Sequence, residues 1–121
     1  MDEFMLIFRH QDGTKVASPE QIQIWMKQTM DWIGGIAAQN KYVGGNGLRF
    51  DNSRIVTNVK NKNVVTDGPF GEIKETIGGY ITVKAESVEE AVEFAKGAPV
   101  LQGEGNSVEV RRLHKGDGVH K

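Results

Sequence analysis

Two side chains in this sequence stand out as proton carriers. His10 follows an apolar run and sits beside Arg9. An imidazole there either shuttles protons near neutral pH or is a plain exposed residue at a strand end. Asp67 is a carboxylate that could act as a general base or orient a ligand. It is equally suited to a turn, its side chain bonding backbone N–H groups ahead of Gly68-Pro69. Glu72, Lys74 and Glu75 follow on one short stretch. They either meet a ligand's polar groups or stay solvated and mutually paired. Phe70 and Tyr80 could wall a pocket. So could Trp25 and Trp32, which lie two helical turns apart and share a side. Core or dimer packing is the plain reading of these aromatics. The candidates for catalysis are His10 and Asp67. The ligand-binding set is Arg9, Trp25, Asp67, Phe70, Glu72, Lys74 and Tyr80.

Several other chemistries are set aside. The chain has no cysteine, which removes disulfides, zinc–thiolate sites, iron–sulfur clusters and cysteine nucleophiles. The histidines, His10, His114 and His120, show no metal-ligand spacing. None lies where the first helix would present a haem ligand. Gly44-Gly45-Asn46-Gly47 resembles a phosphate-binding loop in composition only. No metal and no cofactor is expected. A formal net charge of −1 gives no reason to expect nucleic acid or an anionic membrane as partner. The apolar run before Arg9 is short and has no basic region ahead of it, so neither a signal peptide nor a membrane span is expected. A cytoplasmic location is the expectation, and the absence of cysteine is compatible with that reducing compartment without proving it.

The elements that must position these residues can be read along the chain. Its 121 residues suit one domain with a real core. Residues 3–9 read as a strand with Phe4, Leu6 and Phe8 on one face and Met5 and Ile7 on the other. Both faces are apolar, so the strand should be central. Ser18 then caps a helix, with Pro19 at its first position and Gln21 completing a capping box. Ile22, Trp25, Met26, Thr29, Ile33 and Ile36 form its apolar face, and it should end near Asn40. Gly34-Gly35 weakens it by roughly 1 kcal/mol per glycine, or allows close packing.

Beyond it, 42–48 reads as a glycine-broken strand. Residues 54–59 and 64–66 look like a hairpin turning at Asn61-Lys62-Asn63. A loop over 67–75 and a strand over 76–84 follow. Ser87 and Glu90 open a second helix with a small apolar face, and Gly97 suits its C′ position. The last strand spans 107–113, and the tail from His114 is polar. The order is that of a ferredoxin-like βαββαβ fold with an inserted hairpin, an α+β class. In this fold the helices cover one sheet face. The apolar residues on the other face need a partner, and a homodimer pairing as a dimeric α+β barrel would supply one; the plain alternative is a monomer whose long middle segment covers that face.

The stretch Asp67-Gly68-Pro69-Phe70, followed by Glu72, Lys74-Glu75 and Gly78-Gly79-Tyr80, resembles the hallmark of the DGPF branch of YCII-related proteins. Similarity extends to Phe4-Met5-Leu6-Ile7, Ser87-Val88-Glu89-Glu90-Ala91 and Ser107-Val108-Glu109-Val110-Arg111, spanning about residues 4 to 113. The resemblance implies a ferredoxin-like fold, dimers and a cleft between sheet and helices. The wider family is credited with a His–Asp pair whose histidine comes from the first helix. This chain has no histidine between Ser18 and Asn40, so that pair is not carried over.

The leading expectation is therefore a protein that binds a small molecule between the first helix, the sheet and the Asp67 loop. Some relatives are linked to extracytoplasmic-function sigma factors, so a regulatory module docking on a sigma factor is the alternative. Cofactor-independent oxygenase activity is a third reading, by analogy of fold alone.

Overall fold

Why each segment folds as it does is visible in its local chemistry. The structure, a computed structural model, describes residues 1–11, 18–49, 52–68 and 76–114. The first strand, β1 (Asp2–His10), has Phe4 and Leu6 fully buried on one side. Helix α1 (Pro19–Ala37) begins where Ser18 Oγ accepts the Gln21 N–H at 3.1 Å. Strand β2 (Tyr42–Gly47) follows, then the hairpin β3 (Ser53–Val59) and β4 (Lys62–Gly68). Strand β5 (Thr76–Ala85), helix α2 (Val88–Lys96), a 3-10 turn (Pro99–Gln102) and β6 (Ser107–Arg112) complete the order.

Four strands form one antiparallel sheet in the order β2-β5-β1-β6, with β3 and β4 pairing separately. That is the split βαβ, ferredoxin-like arrangement with a hairpin inserted between β2 and β5. Directly paired residues share a face, so register assigns sides. Phe4 opposes Val83, Leu6 opposes Ile81, and Phe8 opposes Gly79. These, with Val108 and Val110 of β6, face the helices. Met5, Ile7, Tyr80 and Thr82 face the other way and are only half-buried. The open sheet does not close into a barrel within one chain.

Helix α2 is tied to the sheet by charge. Ser87 Oγ accepts the Glu90 N–H at 3.2 Å. The Glu90 carboxylate reaches one residue further back than a simple capping box, accepting the Glu86 N–H at 2.7 Å, and also pairs with Lys41. The hydrogen bond from Lys41 and the Glu86 N–H together hold Glu90 below the usual carboxylate range.

Four local expectations need correction. The hairpin turns at Lys60-Asn61, not at 61–63. Both residues have positive φ, 53° and 68°, the combination that matches strand twist in a tight hairpin. Asn58 Oδ1 fixes the turn by accepting the Asn61 N–H at 2.9 Å. Asp67 does not open a loop at the backbone level, because β4 runs through Gly68 and pairs Asp67 with Arg54. Gly97 closes α2 at φ −87°, so left-handed backbone is not its purpose. A Cβ there would press on the Trp32 indole, at 3.1 Å. Gly34 and Gly35 have nothing near their absent side chains, so close packing is not theirs either.

The core is small: Phe4, Leu6, Ile36, Ile81 and Val83 with Ala85, Ala91 and Ala95. Leu6→Ala should therefore lower the unfolding free energy by about 3 kcal/mol. Urea denaturation checks this as a reduced midpoint; a loss under about 1 kcal/mol would show that the core collapses around the gap.

Candidate functional site

The site follows from where side chains are missing. On the helix-facing side of the sheet, one cross-strand row reads Gly47, Gly79, Phe8 and Val108. The neighbouring row begins at Gly45, beside Ile81. A Cβ at Gly45 would overlap the Tyr80 carbonyl, and one at Gly79 would lie 2.9 Å from the Asn46 carbonyl oxygen. These glycines let the strands approach, and they leave this part of the sheet without side chains.

Helix α1 spans that bare region. Its C-terminal half is seated: Ile36 is buried, and Trp32 donates Nε1–H to the Phe94 carbonyl at 2.9 Å. The Trp32 ring also meets Phe8, with centroids 5.9 Å apart and planes at 56°. Toward its N-terminus it stands over the glycines. Trp25, Met26 and Met30 stay 37%, 63% and 66% exposed, although Trp25 and Met26 belong to the apolar face.

The result is a cavity of about 750 Å³ between α1, the sheet and the 3-10 turn. Trp25, Trp32, Met26, Met30 and Ile33 form its roof. Gly45, Gly47 and Gly78 lie in its floor, with Phe8, His10 and Tyr42 along the sides. Ala98, Pro99 and Val100 close one end. Asn106 fixes that end: its Nδ2–H donates to the Val100 carbonyl at 3.1 Å, and its Oδ1 accepts the Gln11 N–H at 2.9 Å. Gln102 donates to Gln28 Oε1 at 2.9 Å, linking the turn to α1.

The residues singled out in the sequence fall into three groups. His10, Trp25 and Tyr80 line the cavity. Tyr80 opposes Ile7, so its side chain belongs to the open sheet face and its backbone to the cavity side. Arg9 also lies on the open face, where it donates through both Nη2 and Nε to Glu109 Oε1 at 2.8 and 3.2 Å. It is not brought together with His10. Phe70, Glu72, Lys74 and the Asp67 side chain lie outside the described residues. Among the described residues no cluster of three or more His, Asp or Glu could hold a metal. No helix there is long and apolar enough to cross a membrane.

The glycine floor and the Asn106 clamp were not anticipated. The floor had a signal, since Gly45 and Gly47 are two apart on a strand and so share a face. Asn106 had none.

The YCII-related domain profile matches residues 3–114. The chain belongs to the YCII-related family. No curated protein matches this YCII-related chain significantly. Among solved structures it is similar to the 5-chloro-2-hydroxyhydroquinone dehydrochlorinase of Burkholderia phenoliruptrix AC1100, in complex with 2,5-dihydroxybenzoquinone. The two share 17% identity over 94% of this chain and 96% of that one, with a TM-score of 0.49.

His10 is the imidazole of the cavity, and burial lowers its pKa from the ordinary value. The folded protein thus binds the proton more weakly than the unfolded chain. The stability this confers is complete above about pH 6.5 and is lost as pH falls through the lower, folded pKa. His10→Gln should flatten the decline in melting temperature below about pH 6.5. An unchanged decline would show that other groups set it.

Proposed function

We propose that this YCII-related protein binds an apolar small molecule in the cavity beneath α1. The observation that carries the reading is the concavity itself. About 750 Å³ of space, roofed by tryptophan and methionine and floored by glycine, lies within the usual range for small-molecule pockets. An amphipathic helix normally buries its apolar stripe on the sheet. Here Trp25, Met26 and Met30 remain partly in water, and a bound molecule would cover them. A proton transfer to or from that molecule would run through His10.

Filling the cavity tests this. A Cβ at Gly47 meets only the Gly78 carbonyl oxygen, at 3.9 Å, so a larger side chain there has room to enter. N-phenyl-1-naphthylamine, an uncharged fluorophore, should bind the wild type with enhanced emission. Gly47→Leu should weaken that binding by about tenfold with the melting temperature held. Equal binding by both proteins would place the dye elsewhere and remove the support for the reading.

The open sheet face supports a second proposal, that two copies pair through it. Met5, Ile7, Tyr80 and Thr82 form a mixed apolar surface there, framed by the Arg9–Glu109 pair. A two-fold pairing presents the same surface from both copies and so makes it self-complementary. Light scattering should give twice the chain mass for the wild type and the single mass for Ile7→Glu. A wild type that stays monomeric at about 100 times a micromolar dissociation constant would sink the proposal.

A further inference from the structure

His10 and Gly78 form a unit that the binding reading alone does not explain. In β1 the residues facing the helices are Phe4, Leu6, Phe8 and then His10, so the row that builds the core ends in an imidazole at the cavity. Beside it the β5 ladder is irregular. Phe8 opposes Gly79 but Arg9 opposes Ile77, which leaves Gly78 as an extra residue in a β-bulge. The Gly78 carbonyl leaves the β1 ladder and accepts the Leu48 N–H at 2.9 Å, joining the bulge to the segment after β2.

A bulge often needs glycine for a left-handed backbone. Gly78 does not: among the described glycines only Gly105 has positive φ. What requires glycine is the neighbour. A Cβ at position 78 would overlap His10 at Nε2 and Cδ2. The imidazole therefore lies against bare backbone, in space that any side chain at position 78 would take.

The rest of the lining sets what the imidazole can meet. Among the described residues that line the cavity, none is Asp, Glu, Lys or Arg. Among those residues, tryptophan, phenylalanine and methionine offer an ionic group no partner, and burying it against them is costly. Flat rings suit the aromatic sides. A neutral imidazole has two ring nitrogens, one donor and one acceptor, so with one engaged inside the protein the other can meet a ligand hydroxyl or carbonyl.

Resting on the binding reading above, we infer that His10, seated on Gly78, is a polar contact of the cavity and selects uncharged ring compounds that present a hydroxyl. Gly78 is the positioning residue, acting on the ligand only through His10. Burial, which lowers the imidazole's pKa and so favours its neutral form, agrees with this role.

The test uses three probes of nearly one shape: toluene, phenol and benzoate. Binding is read at pH 7 from the methyl NMR signals of Met26 and Met30, which line the cavity. The wild type should prefer phenol to toluene by about tenfold, the discrimination expected of one hydrogen bond, and bind benzoate more weakly than phenol. His10→Phe and Gly78→Ala should each bring the phenol-to-toluene ratio to about one. In Gly78→Ala the His10 ring should also titrate closer to about 6.5, the ordinary value, because it is displaced toward solvent. A mere loss of packing at the bulge would not move that ratio. Should Gly78→Ala fail to fold, His10→Phe alone decides. Equal binding of phenol and toluene by the wild type, a preference that survives His10→Phe, or tighter binding of benzoate would overturn the inference while leaving a binding cavity. No shift of either methionine signal with any probe would overturn both.

Discussion

Helix α1 can be held against the sheet only where the sheet has side chains to hold it. Under its C-terminal half lie Phe8 and the aliphatic core, and Trp32 and Ile36 dock there. Under its N-terminal half lie Gly45, Gly47 and Gly78. The helix cannot sink to fill the gap, because the Trp32 indole is locked by its bond to Phe94 and by contact at Gly97. A helix pinned to the sheet near one end and held off it by glycines toward the other leaves a wedge of space. The cavity is a consequence of that constraint, and so is the exposure of Met26 and Met30. It also explains why the 3-10 turn is tied down so closely: with α1 standing off, the Asn106 bonds are what keep that end wall in place.

The same glycines act twice. In the plane of the sheet they permit the close approach of β2 to β5 and the bulge at Gly78. Perpendicular to the sheet they leave room. A single alanine at 78 would touch both functions, since its Cβ would meet His10 rather than solvent. Backbone irregularity near a site is thus tied here to a specific side chain, and the Gly78-Gly79 pair acquires two different reasons. Gly79 is buried beneath Asn46 and Gly47, whereas Gly78 is kept clear for an imidazole.

Much of this was legible in the residues, and the failures have physical causes. The alternation in β1, the Ser18 and Ser87 caps and the order of elements led directly to the observed fold, because each depends on local chemistry. Ending β1 at Arg9 hid the role of His10. One more residue of alternation places it in the row with Phe4, Leu6 and Phe8. Periodicity named the apolar face of α1 correctly, but periodicity reports which face is apolar and not how far away the opposing surface stands. That distance depends on glycines in β2 and β5, tens of residues distant in sequence. Arg9, adjacent to His10 in the chain, was grouped with it although strand geometry sends neighbours to opposite faces. Asp67 read as a turn former by type, yet pairing with Arg54 carries the strand past it.

The origin of the cavity's imidazole on a strand also has a mechanical consequence. A histidine on α1 would have moved with a helix that is anchored at one end. His10 instead sits on one of the two central strands of the sheet, paired with Thr76 of β5. Sites built on such elements hold their geometry better than those on mobile supports. The roof is the opposite case, with few buried contacts along the N-terminal half of α1 and flexible methionines facing the space. In the proposed binding mode, a fixed polar group beneath an adaptable apolar roof would divide the work of recognition. The strand would set where a ligand's polar atom lies, and the helix would accommodate the bulk attached to it. Related chains could then change the size of the bound molecule by altering Trp25, Met26 or Met30 without disturbing His10, and could change its polarity only by altering β1 or the glycine that seats the ring.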